Sequence, residues 1–417
     1  MNTQPSQTVP LWENPSLWLI LALSVLPMLP YNWLPVLFNV FERDFGANLE
    51  QQGSTLQYLF GSGLLIVVIG GWLTEWLGLR GASFCAVSAC AAGLLLIGLS
   101  TSFGLLLVGC SVYGFGTTWM YLIYGVFISR FFPHEHQKAF LINNMVLALM
   151  AGIGPAIMGF WLSRSLPWRT AFICIGVLNL LFALIFSFFR ERSPTLSTGE
   201  VLREHPSQSG KLSVLLSPGM WLVGTAYVLH GIAEIGIISW AGKLYHMRLG
   251  IPEEQMALFI SANVISFALG RFLLTFIAGR FRDLTLLALC AAGGTVFFVL
   301  ILVTSDYTLG LIFMACSGIC MSGNAPAMNS YLAHRFSGRL EFSFAIYQGF
   351  GALGAAIAPP LIGFVGDRTG LATAAWLIPL SSGALALLVL CWSWFQGRNE
   401  RKVFAQDTAI STSSLSN

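Results

Sequence analysis

Charged residues are scarce in this chain of 417 residues. Lys, Arg, Asp and Glu make up 9% of it, whereas 56% of the residues are hydrophobic. Soluble domains carry about 25% charged residues, so these few charges do not cover a water-facing surface. The mean hydropathy of +0.74 agrees with this conclusion. The composition therefore excludes a water-soluble globular protein and indicates an all-α membrane protein, embedded in a lipid bilayer.

Motifs of several functional classes are also missing. The chain has no Walker A sequence, which argues against ATP-driven pumping, and no nucleophile–base motif, so we predict no enzyme activity. The net charge of +3 is too small to indicate a nucleic-acid partner. The eight cysteines lie in apolar stretches, without a cluster of His or acidic residues, and we interpret them as packing residues. We therefore predict no metal site, no cofactor and no disulfide framework.

Long apolar runs are abundant, and they set the predicted architecture. Twelve runs are long enough to cross a bilayer, which needs about 20 mostly apolar residues per helix. The longest polar segment inside the chain separates the sixth run from the seventh. We predict two pseudo-symmetric six-helix bundles at residues 1–190 and 218–396. A cytoplasmic linker, 191–217, joins them, and a cytoplasmic tail, 397–417, follows.

The distribution of Lys and Arg predicts the orientation. With a cytoplasmic N-terminus, 14 of the 21 basic residues fall on the cytoplasmic side and 6 on the outer side, with one inside a span. Short cytoplasmic loops of membrane proteins carry an excess of Lys and Arg. We therefore predict a multi-pass protein of the cell membrane, inner or plasma, with both termini in the cytoplasm.

The two halves of the chain repeat each other. The stretch GWLTE at 71–75 resembles GRFRD at 279–283, and PAIMGF at 155–160 resembles PPLIGF at 359–364. The offsets are 208 and 204 residues, and each pair falls in equivalent spans of the two halves. Duplicated halves with a binding site between them are the plan of many secondary transporters.

The loop after the second span resembles the signature loop of the major facilitator superfamily. It reads GWLTEWLGLRG, with a glutamate where aspartate is usual. The resemblance implies a gating latch, in which closely approaching helices are fixed by an acid. The alternative interpretation is a tight cytoplasmic turn with a solvated acid. The gating residues that we predict are Gly71, Glu75, Gly78 and Arg80, with Gly279 and Asp283 as their repeat.

Within the superfamily, the C-terminal half is similar to the fucose–galactose–glucose:proton symporter group. The similar stretches are GRFLLTFIAGRF, CSGICMSGNAP and GFVGD. This resemblance implies proton-driven uptake of a sugar. The group's best-known member couples protons through carboxylates in spans one and four, and this chain has no Asp or Glu in either span.

The stretch LHGIAEIGIISW, residues 229–240, places His230 and Glu234 four residues apart in span seven. Residues at this spacing share one helix face, and an ionisable group near the bilayer midplane is by default functional. We predict that Glu234 is the proton-titrating group and that His230 tunes it. The alternative is a structural hydrogen-bonded pair. Arg271 is also deep in a span, and three partners are open: Glu234, an anionic substrate, or helix-end carbonyls.

Polar and aromatic residues of several spans predict the substrate site. The predicted binding residues are Asn32, Trp33, Gln57, Tyr58, Tyr121, Asn143, Asn144, Trp240, Asn263, Asn324, Tyr347 and Gln348. Amides and hydroxyls hydrogen-bond sugar hydroxyls, and aromatic faces stack on the C–H side of a pyranose. We predict a monomeric secondary active transporter of a small hydrophilic solute, a monosaccharide or polyol, with proton coupling. The main alternative is proton-antiport efflux of a drug, organic metabolite or anion, and a receptor-like protein is a third class.

Overall fold

The computed structural model describes residues 15–132, 136–188, 214–274, 276, 280–336 and 340–414. All regular secondary structure in these ranges is helical. The predicted linker falls almost wholly on residues outside them, as does Gly279. The helices are α1 (Pro15–Met28), a 3₁₀ helix (Leu34–Leu37), α2 (Phe38–Phe45), α3 (Leu49–Gly98), α4 (Phe103–Phe131), α5 (His136–Ser163), α6 (Trp168–Phe188), α7 (Pro218–Leu249), α8 (Glu253–Leu274), α9 (Asp283–Val303), α10 (Tyr307–Met321), α11 (Asn324–Arg335), α12 (Leu340–Thr369), α13 (Leu371–Ala374) and α14 (Leu377–Ser414).

Ten helical segments in the described part of the chain are long and apolar enough to cross a membrane. The sequence predicts twelve, and two features explain the difference. Helix α1 has only 14 residues, which is too short to cross the bilayer alone. Helix α3 has 50 residues, or about 75 Å of helix at 1.5 Å per residue, more than twice the thickness of the hydrocarbon core.

Helix α3 folds back on itself at Gly78. The φ and ψ of this glycine are 68° and 163°, a combination that is almost restricted to glycine. Helix α4 contacts both arms of α3: its Gly114 packs against Leu59 of the first arm, and its Gly116 packs against Cys90 of the second. Since neighbouring residues of α4 contact both arms, the arms lie side by side, and α3 contains two of the predicted spans.

The first predicted span is interrupted after α1. Helix α1 ends at Met28, between Pro27 and Pro30. The Tyr113 hydroxyl donates to the Pro27 carbonyl at 2.6 Å, and the Asn32 amide donates to the Ala151 carbonyl at 3.1 Å. A broken helix at membrane depth requires such partners, because no water is available in the bilayer core.

The N-terminal and C-terminal helices meet at one end of the molecule, which we call the closed end. The Asp367 carboxylate of α12 accepts hydrogen bonds from the backbone N–H groups of Leu49 and Glu50, at 3.0 and 2.9 Å. Asp367 thus caps the N-terminus of α3, where free N–H groups and the helix dipole favour an anion. Gly53 packs on the Pro359 backbone close by.

A second set of contacts at the closed end joins α2 to α7. Lys243 and Glu42 form an ion pair, in which the lysine side chain is 3% exposed and the glutamate side chain 61%. The Trp240 indole N–H donates to the Pro359 carbonyl at 3.2 Å, and its ring lies 4.9 Å from that of Phe38. A buried lysine needs its counter-ion. Because Glu42 lies on α2 and Lys243 on α7, the ion pair persists only while these two helices are in contact at the closed end.

Asp44 lies at the same end and fixes α2 to α6. Its carboxylate accepts from the Trp168 indole at 2.9 Å and from Arg169 at 3.0 Å. Partial burial acts to raise the pKa of Asp44, but the hydrogen bonds from Trp168 and Arg169 and the Arg169 charge outweigh it and hold that pKa below its usual value. The ionised carboxylate is therefore the form that holds α2 in place.

We expect Gly78→Ala to destabilise the protein by about 1–3 kcal/mol, because a Cβ is strained at this φ and ψ. Gly71→Ala is the matched control: Gly71 lies in the regular part of the same helix, with open space where a Cβ would lie. Thermal unfolding of the purified protein in detergent should show a melting temperature several degrees lower for the first variant only. Equal melting temperatures would contradict the assigned turn.

We expect Asp367→Ala to weaken the closed end, because it removes both bonds to the α3 N-terminus. An N-cap contributes about 1 kcal/mol, or about a fivefold change in a two-state population. Electron–electron distance measurements between spin labels at positions 43 and 369, in a background with Cys174 and Cys391 replaced by Ser, should gain a longer component.

Asp306→Ala is the control for this measurement. Asp306 also caps a helix, accepting from the Leu309 N–H at 2.7 Å, but both residues belong to the C-terminal part of the chain. Its removal should leave the distance distribution unchanged. The cross-half role of Asp367 is refuted by identical distributions for the two alanine variants.

Candidate functional site

A cavity of about 540 Å³ lies between α3 and α4 on one side and α7 and α12 on the other. Glu234 is the one carboxylate among its described lining residues, and no Lys or Arg lines it. Four aromatic residues, two threonines and one glutamine supply the remaining ring and polar surface. They are Tyr31, Phe60, Tyr121, Tyr227, Thr117, Thr118 and Gln348.

The cavity opens away from the closed end. Its lining residues Ala345 and Gln348, near the start of α12, are exposed, whereas Gly363, near the end of the same helix, packs against the backbone of Leu49 and Glu50. The helices that line the cavity therefore touch at one end and stand apart at the other. The cavity is therefore accessible from the open end.

His230 and Glu234 form a hydrogen-bonded pair on α7. The His230 Nε2 lies 3.1 Å from Glu234 Oε2. The histidine side chain is 2% exposed, and that of Glu234 is 26% exposed, so the histidine lies behind the glutamate as seen from the cavity. The predicted pairing of these two residues is present in the structure, and Glu234 is the member that faces the cavity.

Asn324 holds the other side of the histidine ring. Its amide nitrogen lies 3.3 Å from His230 Nδ1 and 3.3 Å from the Met321 sulfur. Because an amide N–H donates, Nδ1 of a neutral His230 is the acceptor and Nε2 carries the proton donated to Glu234. The Asn324 oxygen is buried and has no hydrogen-bond partner among the described residues. Rotation of the amide therefore provides an acceptor for a protonated His230.

Asn324 reaches this position because the tenth predicted span is interrupted. Helix α10 ends at Met321 and α11 begins at Asn324, with Pro326 two residues later. Proline has no N–H to donate to the preceding turn and breaks the helical ladder there. The interruption places a buried amide, rather than a regular helix position, beside His230 in the membrane.

Aromatic rings continue the site along α7 and α12. The Tyr227 ring stacks on Tyr347 at 4.1 Å with an interplanar angle of 9°, and it lies 6.0 Å from the His230 ring at 13°. A Cβ at Gly351 would collide with the Tyr227 ring, so this glycine provides the space for it. Tyr347 is buried behind Tyr227, and Tyr227 presents its surface to the cavity.

Arg271 lies near the site without pairing with it. Its side chain is exposed, and its guanidinium lies 4.7 Å from the centre of the Phe267 ring. No ion pair joins it to Glu234 in the part of the chain that the structure describes, but its charge acts through space on Glu234, Tyr121 and Tyr227. Of the three predicted partners, direct contact with Glu234 is absent in this conformation.

The structure brings only some of the predicted binding residues to the cavity. Tyr121 and Gln348 line it, and Tyr121 donates to the Asn144 oxygen at 3.5 Å. Gln57 and Tyr58 are exposed elsewhere. Asn143 is buried outside the lining. These placements leave one predicted amide, that of Gln348, in the wall of the cavity.

Four further predicted binding residues make structural hydrogen bonds within the protein instead of facing the cavity. The Trp33 indole donates to the Gly154 carbonyl at 2.8 Å, and the Asn263 amide donates to Met314 and Ser317 at 3.2 and 3.0 Å. Asn32 and Trp240 make the structural bonds described above. Their polar groups meet the backbone of neighbouring helices because buried donors in a membrane protein are satisfied internally.

Tyr227 is a lining residue that the sequence-based prediction missed. It lies three residues before His230 and seven before Glu234, and these spacings place all three on one helix face. That periodicity was the available signal. Gly231 and Gly351 also line the cavity. Because glycine has no side chain, the sequence gives no sign of this role, which is seen only from the close approach of these glycines to other helices in the structure.

The predicted gating residues of the first half lie at the open end, at and near the turn of α3. Gly78 forms the turn itself, and Glu75 and Arg80 are exposed on either side of it. No ion pair joins Glu75 to another residue that the structure describes. In the repeat, Asp283 begins α9 and lies 3.2 Å from His334 Nδ1 at the end of α11. Among these described residues the structure thus shows the tight turn, and no latch across the open end.

The sequence of this chain is similar to those of the TsgA proteins. Protein TsgA of Salmonella arizonae is 24% identical over 253 residues, which cover 60% of this chain and 62% of that protein. The TsgA homolog of Citrobacter koseri is 24% identical over 262 residues, covering 62% and 64%. The chain thus matches somewhat less than two thirds of the length of these relatives, and no subgroup follows from the similarity.

Solved structures share the fold. A bacterial homolog of the human lysosomal transporter Spinster, in an inward-facing and unoccupied conformation, superposes with a TM-score of 0.70 at 15% identity, covering 92% of this chain and 96% of that chain. The nucleoside transporter NupG superposes with a TM-score of 0.74 at 12% identity, covering 90% and 99%.

The model of the Major Facilitator Superfamily matches residues 19–336 and, in a second match, residues 249–412. Together these matches cover most of the chain. Family and fold point to a membrane transporter rather than an enzyme. The chain belongs to the major facilitator superfamily.

Proposed function

We propose that the protein is a proton-coupled secondary transporter of a small organic solute, working by alternating access in the cell membrane. The observation that carries this proposal is the cavity between the N-terminal and C-terminal helices, in which Glu234, the one carboxylate among the described lining residues, is hydrogen-bonded to a buried histidine. The predicted plan of twelve spans in two six-helix bundles is part of the proposal, with α3 counted twice and α1 together with the 3₁₀ helix counted as one interrupted span.

The contacts at the two ends support alternating access. At the closed end, Asp367 and Lys243 bind groups of the N-terminal helices, whereas the lining residues of the open end are accessible. With both termini in the cytoplasm, as the basic residues predict, the open end faces the cytoplasm and this conformation faces inward. The reverse conformation then requires that the Asp367 and Lys243 contacts break.

The pair on α7 supports proton coupling. A carboxylate that is partly exposed to a cavity exchanges protons with water, and the buried histidine behind it is its hydrogen-bond partner. Because the two groups are in contact, they titrate as a unit. Loss of the hydrated cavity when the open end closes favours the protonated form, since an ionised carboxylate is costly at membrane depth.

The class of solute is the finer part of the proposal. A monosaccharide or polyol requires several amide or hydroxyl partners, and the described wall supplies Gln348, two threonines and tyrosine hydroxyls. The structural neighbour NupG is described as a nucleoside transporter, which is compatible with a small polar solute. The single carboxylate among aromatic rings supports the other predicted class, exchange of an organic metabolite with protons.

Solute-driven proton movement in proteoliposomes tests this function. The purified protein is reconstituted with a pH-sensitive dye inside, and glucose, uridine and choline are each added outside. A carrier produces a pH change with at least one of them that protein-free vesicles lack. If every solute gives the same trace with and without the protein, proton-coupled transport of these solute classes is wrong.

We expect Glu234→Gln to abolish accumulation of solute against its gradient, because glutamine mimics the protonated carboxylate at nearly constant volume and does not release a proton. At saturating solute concentration, exchange of labelled for unlabelled solute should be largely retained. Glu254→Gln, the same substitution on an exposed residue at the closed end, is the control. If the Glu234→Gln protein still concentrates solute in response to a pH gradient, Glu234 does not couple the proton.

We expect His230→Ala to shift the pH dependence of transport while retaining transport itself, because the histidine acts on Glu234 and does not line the cavity. His246→Gln is a matched control, since this histidine lies 2.6 Å from the Ile251 carbonyl at the closed end, remote from the cavity. Rates measured between pH 5 and 8 should give displaced profiles only for His230→Ala. Superimposable profiles for all three proteins would exclude a tuning role.

A further inference from the structure

We propose that the solute bears a positive charge, as a substituted ammonium group, and that Glu234 together with the rings of Tyr31, Tyr121 and Tyr227 binds that charge. This inference rests on the proposed transport function and adds the chemical class of the solute. It also fixes the mode of coupling, because the cation and the proton share one carboxylate.

The first support is the composition of the cavity wall. Three tyrosines from three different parts of the chain line the same space as Glu234: Tyr31 follows α1, Tyr121 lies on α4, and Tyr227 lies on α7. Aromatic faces attract cations, and substituted ammonium groups are commonly bound by several rings at once. A neutral sugar does not require a carboxylate in this position.

The second support is that the rings are held in place. Tyr227 is fixed between Gly351 and Tyr347, whose ring lies 4.1 Å away. Tyr31 makes an edge contact with Phe60 at 5.8 Å. Tyr121 is positioned by its hydrogen bond to Asn144. Rings that are already oriented lose little conformational entropy when a ligand binds.

The third support is the capacity of the Glu234 carboxylate to accept contacts beyond the one from His230. His230 contacts Oε2 of Glu234, and an ionised carboxylate has acceptor sites on both oxygens. The exposed part of the side chain faces the cavity. An ammonium group therefore finds a negative charge that the protein has oriented and that no Lys or Arg in the described part of the chain neutralises by direct pairing.

The charged and titratable groups around Glu234 are compatible with this role. His230 on α7 is the direct partner, Arg271 on α8 acts from a distance without an ion pair, and Tyr31, Tyr227 and Tyr347 lie near enough for electrostatic interaction. Arg271 is exposed, so water screens its repulsion of a bound cation more strongly than it screens contacts inside the cavity.

Shared use of Glu234 has a direct consequence for the direction of coupling. A protonated Glu234 is neutral and loses its attraction for the cation, and a bound cation disfavours protonation. Binding of the two is therefore mutually exclusive at this site, which is the condition for exchange of a proton against the solute. Apparent affinity for the cation should fall as the pH is lowered.

Choline and its uncharged isostere 3,3-dimethylbutan-1-ol provide the test. They have nearly the same shape and differ in charge, and choline keeps its charge at every pH. We expect choline to raise the melting temperature of the purified protein in a saturable way at pH 7.5, and the isostere and methyl glucoside to leave it unchanged. The half-saturating choline concentration, followed from pH 7.5 down to pH 4, should rise at least threefold once the pH is low enough to protonate Glu234.

Variants separate the carboxylate from the rings. Glu234→Gln should raise the half-saturating choline concentration at least tenfold and remove its pH dependence. Tyr121→Leu should raise it roughly threefold or more through loss of one ring, while Tyr121→Phe, which keeps the ring, should retain binding. Since all variants are compared by the shift that choline adds, a lower starting stability does not imitate the effect.

The outcomes distinguish this inference from the proposed function. Stabilisation by methyl glucoside but not by choline overturns the cation and leaves a proton-coupled sugar carrier. Equal shifts with choline and its isostere also overturn it, because charge then has no role. Charge-dependent binding without any choline-driven pH change in proteoliposomes supports the site and contradicts transport.

Discussion

The free energy of an ionised carboxylate inside a membrane is the constraint on which this structure depends. Glu234 is tolerated because a cavity hydrates one side of it and His230 binds the other, and His230 is in turn held by Asn324. Removing any one of these leaves a charge or a polar group without a partner in a medium that offers no replacement. The glutamate, the cavity and the interrupted tenth span therefore form one unit.

Breaks and turns in the helices shape the site around Glu234 at three places. The break after α1 brings Tyr31 to the cavity, the break between α10 and α11 brings Asn324 to the histidine, and the turn at Gly78 packs both arms of α3 against α4. At the first break, freed backbone groups accept hydrogen bonds from side chains of other helices. The irregular parts of the fold thus define the site, while the regular helices position it.

Much of the fold, but less of the site, follows from the sequence. Apolar length predicts the spans, because a helix at membrane depth requires it, and the spacing of His230 and Glu234 predicts their contact. The lining was harder to predict. Asn32, Trp33 and Asn263 are polar residues in apolar spans, and sequence alone does not distinguish a donor that faces a cavity from one that bonds to a neighbouring helix. That difference depends on helix rotation, which long-range packing determines.

The two partners in the cap on α3 depend on their sequence to different degrees. Asp367 contributes a side chain, whereas Leu49 and Glu50 contribute only backbone N–H groups. Almost any residue at positions 49 and 50 offers the same two donors, so the N-terminal partner of the contact is robust to substitution, while the C-terminal partner is encoded by a single carboxylate. A junction built in this way permits one half of a duplicated protein to diverge in sequence without losing its attachment to the other.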